Sequence, residues 1–360
     1  MDFCIAHALC FALRAPVPAG KGIVIAKISI SVRIIMTDLM AIRKKDFAVG
    51  YSGGLDSTLV PLILGKRYNQ GKAHLITIQH GHGHLFPSWP LKHVRDLKRI
   101  LGDEHVCHRY EHTKKTFRKM VMGHLLSEYC KYGHSNFVVC LGCYLSMDVH
   151  IISYCLEHLV PTVTFGYTPR GSDFAVMSLP ETCFERRKIY SEFGLLYRIP
   201  LVEMHMEKPE ERDLIRNYGI WPGLNFRKIM MGVQPPCLLG ITMHHMDILF
   251  EIHPQPDRKQ VTAFIQDHAP LVKQLVYERL QAKGINPAER IDMLRRINED
   301  EWEHYGPEAH ILNDLEERRI NAIMADMPSI ALKSYPNSVP LYDHKSLSRD
   351  GRPLLPEMMK

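Results

Sequence analysis

Short apolar runs alternate with longer amphipathic stretches through most of the chain. Residues 46–51, Asp-Phe-Ala-Val-Gly-Tyr, are an apolar run that ends in a glycine-rich turn. Thr58 to Arg67 follows, with Leu59, Leu62 and Ile63 at helical spacing. Pro61 is expected in the first turn of that helix, where a missing N–H is tolerated. Residues 73–79 read as a second strand, 89–101 as a helix, 104–108 as a short strand and 114–131 as a long helix. Phe137–Cys140 leads into a Cys-x-x-Cys turn, and residues 144–158 continue as a helix. Val160 to Tyr167 reads as another strand, 196–202 is strand-like, and Lys208 to Tyr218 is helical. Strands that alternate with helices predict an α/β fold, a parallel sheet with helices on both faces. In such sheets, ligands bind at the C-terminal ends of the strands.

The pattern changes near residue 250. Pro254, Pro256 and Asp257 punctuate the chain, and residues 258–325 are then rich in Arg, Glu, Leu and Ile at helical period. Four segments are expected: an extension over 1–43, an α/β domain over 44–250, a helical C-terminal region over 251–327 and a loosely ordered tail over 328–360. Phe3 to Leu13 is largely apolar, but Asp2 stands where a signal peptide needs basic residues. The extension is therefore read as poorly structured, with translation from Met36 or Met40 as an alternative start. No apolar stretch reads as long and clean enough to cross a bilayer.

Composition narrows the partners. The chain has 360 residues, 46% of them hydrophobic, enough for a full core. Its formal net charge of +6 suits an anionic partner such as a nucleotide or RNA, and equally a solvated basic surface. The nine cysteines are odd in number and scattered, which fits a reducing, cytoplasmic setting where Cys serves as ligand, nucleophile or core filler.

Ser52-Gly53-Gly54-Leu55-Asp56-Ser57 lies between the first strand and its helix. Glycines let the backbone approach a pyrophosphate, and their N–H groups can point at it. The helix N-terminus adds its dipole, Ser52 and Ser57 add hydroxyls, and Asp56 can hold Mg²⁺. The Gly-Lys-Ser/Thr of a Walker A loop is absent. This hexapeptide resembles the SGGxDS motif of the PP-loop ATPases, the adenine nucleotide α-hydrolase-like proteins. The resemblance implies a Rossmann-like fold over roughly residues 44–240, cleavage of ATP between its α- and β-phosphates, and an adenylated substrate. In the family, the strand after the loop helix ends near the adenine, here Thr77 to His82, and a later strand ends in a glycine turn lining the nucleotide, here Gly166-Tyr167-Thr168. Relatives often carry acidic residues after that glycine. This chain has Pro169-Arg170-Gly171-Ser172-Asp173 instead, and Arg170 could meet a phosphate or solvent.

Cys140-Leu141-Gly142-Cys143 admits several readings: a redox pair, half a zinc site, two iron–sulfur ligands or coincidence. Cys237 lies in Pro235-Pro236-Cys237-Leu238-Leu239-Gly240, read as a loop. The order of phosphate loop, CxxC and lone Cys resembles the iron–sulfur tRNA thiolases of the PP-loop family. That resemblance implies Cys140, Cys143 and Cys237 as ligands of a [4Fe–4S] cluster with one open iron. Core filling is the expectation for Cys107, Cys130, Cys155 and Cys183.

His80, His82 and His84 are read as a loop beside the nucleotide, with a metal site as the alternative, and His244-His245 follow Cys237. Lys114, Lys115, Arg118 and Lys119 form one basic helix face, and Arg186, Arg187 and Lys188 a second cluster, each able to grip RNA phosphate or to face solvent. The expected activity is ATP-dependent adenylation of a carbonyl with release of pyrophosphate. Sulfur transfer to a tRNA base or a small heterocycle would follow, with ATP, Mg²⁺ and a [4Fe–4S] cluster as cofactors. A sulfur-donor protein and a homodimer are admitted as partners, a membrane is not. The alternative is a PP-loop ligase or amidotransferase using ammonia or an amine, and a third reading is a nucleotide sensor without turnover.

Overall fold

The computed structural model describes residues 45–67, 71–81, 88–133, 135–167, 176, 179–204, 206, 208–221, 237–242 and 258–299, all within one compact unit, Lys45–Lys360. The expected extension 1–43, most of the stretch 222–257 and the tail from Pro328 lie outside these residues.

Five strands make one sheet: β1 (Phe47–Gly50), β2 (Ala73–Gln79), β3 (Val106–His112), β4 (Thr162–Phe165) and β5 (Leu196–Arg198). The order is β3-β2-β1-β4-β5, and every pairing is parallel. Central parallel strands are covered on both faces and therefore read as unbroken apolar runs. All four residues of β4 are buried, as are Phe47, Ala48 and Val49 of β1. Alternation along β1 sends Phe47 and Val49 into one core and Ala48 into the other.

Helices fill both layers. The first core is closed by α1 (Leu55–Leu62), α2 (Pro90–Leu101) and a later helix Lys208–Asn217, through Leu59, Leu62, Leu97 and Ile215. The second holds α3 (Lys114–Phe117), α4 (Leu125–Tyr132), α5 (Ser135–His158) and α6 (Pro180–Glu192). After α7 (Pro200–Glu203) and α8, the helix Lys208–Asn217, come α9 (Arg258–Gln281) and α10 (Pro287–Ile297). Phe264, Val272, Val276 and Leu294 of these last two helices lie in the same cluster as α5 and the sheet.

Four local expectations are corrected. Helix α1 starts at Leu55, so Pro61 sits inside it, and the widened π-type turn Ile63–Arg67 follows the proline that cannot donate to the preceding turn. Strand β3 runs to His112, longer than its polar sequence suggested. The strand-like run 196–202 stops at Arg198, because Pro200 begins a short helix whose Glu203 pairs with Arg198. The long helix expected over 114–131 breaks at Gly123-His124 after a widened turn Arg118–Met122.

Helix α5 needs the largest correction. It is continuous through Cys140 and Cys143, so the CxxC is a helical turn and not a loop. Its stretch Phe137–His158 is also long and apolar enough to cross a membrane, contrary to the sequence reading. In the fold that apolarity is used internally: Phe137, Leu141, Leu145, Val149, Ile152 and Leu156 are buried in the second core.

Candidate functional site

Strand β1 has β2 on one side and β4 on the other. The chain builds outward through β2 and β3, then crosses back to β4 and β5. The β1/β4 boundary is thus the switch point of the sheet, where the loops leaving two neighbouring strands part and open a crevice. Ser52-Gly53-Gly54 leaves β1 at that crevice, and Gly166-Tyr167 leaves β4 beside it.

The loop is held by its own groups. Gly54 N–H donates to Ser52 Oγ at 3.2 Å, and Ser52 N–H reaches Ser57 Oγ at 3.3 Å. Ser57 Oγ donates to Gly54 O at 3.2 Å, and the two hydroxyls stand 3.1 Å apart. Gly53 has φ +78°, and a Cβ there would lie 2.7 Å from Pro90 Cα, so both conformation and space demand glycine. A Cβ on Gly166 would lie 2.5 Å from Asp56 C and Ser57 N. The β4 turn therefore rests directly on the backbone of the first turn of α1, where Asp56 is the acidic residue. Gly54 caps α1 without a side-chain cap bond.

Behind the loop, buried His93 places Nδ1 3.1 Å from Gly53 O and 3.3 Å from Thr58 Oγ1, and Nε2 3.3 Å from Trp221 O. Burial lowers its pKa, and hydrogen bonding to those two carbonyls opposes that. No motif announces this brace, since its partners are far away along the chain.

The cysteines gather on the second-core side. Cys140 and Cys143 are one turn apart on α5, hence on one face. Burial raises the Cys143 thiol well above its ordinary value, and the nearby Cys140 and Cys237 sulfurs raise it further. The Cys143 sulfur is therefore within electrostatic reach of the other two. Cys237 Sγ accepts the Gly240 N–H at 3.3 Å and stands 3.3 Å from His80 Nε2. Burial pushes its pKa up, and the Gly240 and Leu239 N–H groups oppose that. His80 directly follows β2, is buried, and stacks on Phe117 at 5.2 Å. Three thiols and an imidazole have the donor chemistry of a soft-metal site. Their side chains do not stand in ligating geometry, since no group of three His, Cys, Asp or Glu among the described residues could hold a metal ion.

The two halves are linked by aromatic and ionic contacts. Tyr144, next to Cys143, lies 6.4 Å from Tyr167, next to Gly166, and burial raises its pKa to about 12. Arg186 donates to Tyr167 Oη at 2.7 Å and clasps Asp148 through Nε and Nη2 at 2.8 and 2.6 Å. Both charges are fully buried, and the guanidinium lies 4.3 Å from the Phe165 ring centroid. This corrects the reading of Arg186, Arg187 and Lys188 as a surface cluster: Arg186 and Arg187 are buried, and Lys188 pairs with Glu185. Thr77, expected near an adenine, is engaged by His108 Nε2 at 2.9 Å. His82, His84, Thr168, Arg170 and His244-His245 lie outside the described residues.

A five-stranded parallel sheet with Ser-Gly-Gly-Leu-Asp-Ser at its switch point decides the architecture. The fold is a Rossmann-like, all-parallel α/β sheet with helices on both faces. Three solved structures show likeness to it at low similarity. A predicted subunit of a tRNA methyltransferase from Methanocaldococcus jannaschii is 16% identical, with 58% of this chain and 91% of that one covered and a TM-score of 0.34. The U34-tRNA thiolase NcsA from Methanococcus maripaludis, with its [4Fe–4S] cluster, is 13% identical over 66% of this chain and 80% of its own, with a TM-score of 0.33. NAD+ synthetase from Burkholderia pseudomallei is 12% identical over 72% and 88%, with a TM-score of 0.33. At such TM-scores and identities these likenesses do not bear on what this chain acts on. No family model and no curated protein matches the sequence.

Proposed function

We propose that the protein is an ATP-dependent sulfurtransferase that adenylates a substrate carbonyl at the Ser52–Ser57 loop and delivers sulfur from the neighbouring cysteines. The single observation that carries the reading is the juxtaposition of the two halves: Gly166 seated on Asp56 and Ser57, Tyr167 beside Tyr144, and Cys143 within reach of Cys140 and Cys237.

The glycine N–H groups and the Ser52 and Ser57 hydroxyls would receive the β- and γ-phosphates of ATP, with Asp56 holding Mg²⁺ against them. The substrate oxygen attacks the α-phosphorus and pyrophosphate leaves, which turns a poor leaving group into AMP. Sulfur then arrives as a persulfide on Cys237, loaded by a sulfane-sulfur donor. Its terminal sulfur attacks the activated carbon, and AMP departs with the electron pair of the C–O bond. A second thiolate attacks the Cys237 sulfur, breaks the S–S bond to release the thiocarbonyl product, and leaves a disulfide that an external dithiol must reduce. Cys140 and Cys143, one turn apart on α5, are the candidates for that second thiol. Cys140, Cys143 and Cys237 are the thiols a [4Fe–4S] cluster would need, but they do not stand in ligating geometry, so the sulfur is carried here by cysteine alone.

The test is a pair of variants. Asp56→Ala should abolish pyrophosphate release with the melting temperature unchanged, and persistent release sinks the adenylation step. Cys237→Ala should keep ATP-dependent release of pyrophosphate and lose sulfur incorporation, and retained incorporation sinks the sulfur step.

A further inference from the structure

The segment after β3 is short and strongly one-sided. Thr116, Phe117, Met120 and Val121 are buried, while Lys114, Lys115, Arg118 and Lys119 are exposed. Every charged side chain from 114 to 122 is positive. The cations fall into two groups. Lys119 is answered by Glu278 of α9 at 3.0 Å, and Lys131 by Asp267 of the same helix. Lys114, Lys115 and Arg118 have no acidic partner among the described residues. Three unneutralised cations on two successive turns produce a local positive field that a neutralised surface lacks.

The position of this edge gives the charge a purpose. The Lys114 stem lies against Gly81, with Lys114 Cδ 3.4 Å from where a Gly81 Cβ would stand. Gly81 directly follows His80, whose Nε2 is the atom on Cys237 Sγ. Phe117 stacks on the same imidazole. Val121 presses on Gly142 inside the CxxC, so closely that a Cβ there would meet Val121 Cγ2 at 2.6 Å. The buried side of this segment is thus one wall of the cysteine site, and its exposed side is the adjoining rim.

We propose that Lys114, Lys115 and Arg118 form a docking edge for the phosphodiester backbone of RNA, which leads a strand to the Cys237 side of the crevice. The inference rests on the sulfur-transfer reading for the destination of the strand, and it names RNA as the substrate class over a free heterocycle. A free heterocycle has no use for a row of cations outside the crevice. A polyanion has, because each neutralised phosphate releases condensed counterions and adds to affinity. Lys and Arg on a rim position a backbone without reading sequence, which leaves base selection to the crevice.

The experiment measures binding of fluorescein-labelled mixed tRNA to the full-length protein by anisotropy, over a salt series. Lys114→Glu/Lys115→Glu/Arg118→Glu and the neutral Lys114→Gln/Lys115→Gln/Arg118→Gln are compared with the paired-lysine controls Lys119→Ala and Lys131→Ala. Melting temperatures verify folding. About three lost phosphate contacts should reduce the slope of log K against log salt by roughly 2 and weaken binding at least about tenfold in the neutral variant, and further in the charge reversal. Each control should lose less than about twofold, because the carboxylate already offsets its charge. An unchanged slope in both triple variants overturns the proposal, as does an equal loss in the controls. Met122 and Leu126 are exposed on the same stretch, so vesicles of anionic phospholipid form a second arm. Binding to vesicles that exceeds binding to tRNA and falls in the triple variants would overturn RNA in favour of a lipid surface. Sulfur incorporation into RNA is scored separately. tRNA binding that depends on these cations without any incorporation defeats the sulfur-transfer reading alone, and incorporation that the triple variants leave unaltered defeats the docking edge alone.

Discussion

Gly166→Ala isolates the contact on which the site depends. The added Cβ would stand 2.5 Å from Asp56 C and Ser57 N and 2.8 Å from Asp56 O. Ordinary carbon contacts lie at about 3.5–4.0 Å, so the β4 turn and the start of α1 must separate by roughly 1 Å. All three neighbours are backbone atoms, so no rotamer change relieves the clash. Overpacking of this kind costs about 1–3 kcal/mol, or roughly 2–10 °C in melting temperature for a domain of this size. The kinetic effect should be larger than the stability effect suggests. A displacement of about 1 Å between positioned groups can lower a rate about 10²-fold, and the displaced groups here include Asp56 and the loop N–H groups. Pyrophosphate release at saturating ATP, read beside the melting temperature, separates the two effects. Gly133→Ala is the control: its φ is +81° but nothing lies within 4 Å of the new methyl. It should cost about 1–2 kcal/mol through conformation alone and leave turnover intact. A folded Gly166→Ala protein with wild-type turnover would refute the role of the β4 turn in holding the Ser52–Ser57 loop.

Further expectations follow from the buried charges and imidazoles. Asp148→Ala strands the Arg186 guanidinium in the core and should destabilise by about 3–5 kcal/mol, while Asp148→Leu with Arg186→Met should recover most of that loss in denaturant unfolding. Burial lowers the His108 pKa to about 4 from 6.5, so its contribution is present above about pH 6.5 and is lost as pH falls from there to 4. With its partial exposure discounted, His108→Gln should flatten the acid limb of a stability–pH curve by about 1–2 kcal/mol. Glu111 is held down to about 2 by His150 and by Arg279 and Arg109, so its share of stability is present above about pH 4.5 and is lost as pH falls from there to 2; Glu111→Gln should remove that share in denaturant unfolding at neutral pH.

The parts of the fold written in contiguous residues were legible. Phe47-Ala-Val before Ser52-Gly-Gly, and the buried run ending at Gly166, announce central parallel strands, and the tight turn from β1 into α1 follows from its own hexapeptide. Segments whose conformation depends on distant partners were not. The CxxC reads as a turn because Gly142 interrupts it, yet the glycine is there to admit Val121, and α5 runs straight through. Strand β3 hides its length because an edge strand need bury only one end of its pattern, here Val106. Arg186 looks solvated until Asp148, on another helix, is seen to clasp it. The His80–Cys237 contact joins residues from opposite halves of the chain, and only the sheet topology brings them together. His93 carried no signal at all, since its three partners are a hydroxyl and two carbonyls.

In the proposed reaction ATP is split between its α- and β-phosphates to activate a carbonyl for sulfur. The most direct measurement is a single-turnover reaction with ATP labelled at the α-phosphate, mixed tRNA and a persulfide donor. AMP, pyrophosphate and RNA-bound sulfur should form in equal amounts, with both products of ATP lost in Asp56→Ala and the sulfur alone lost in Cys237→Ala. Release of ADP and phosphate, or AMP formed in step with ammonia or an amine entering the product, would contradict the account.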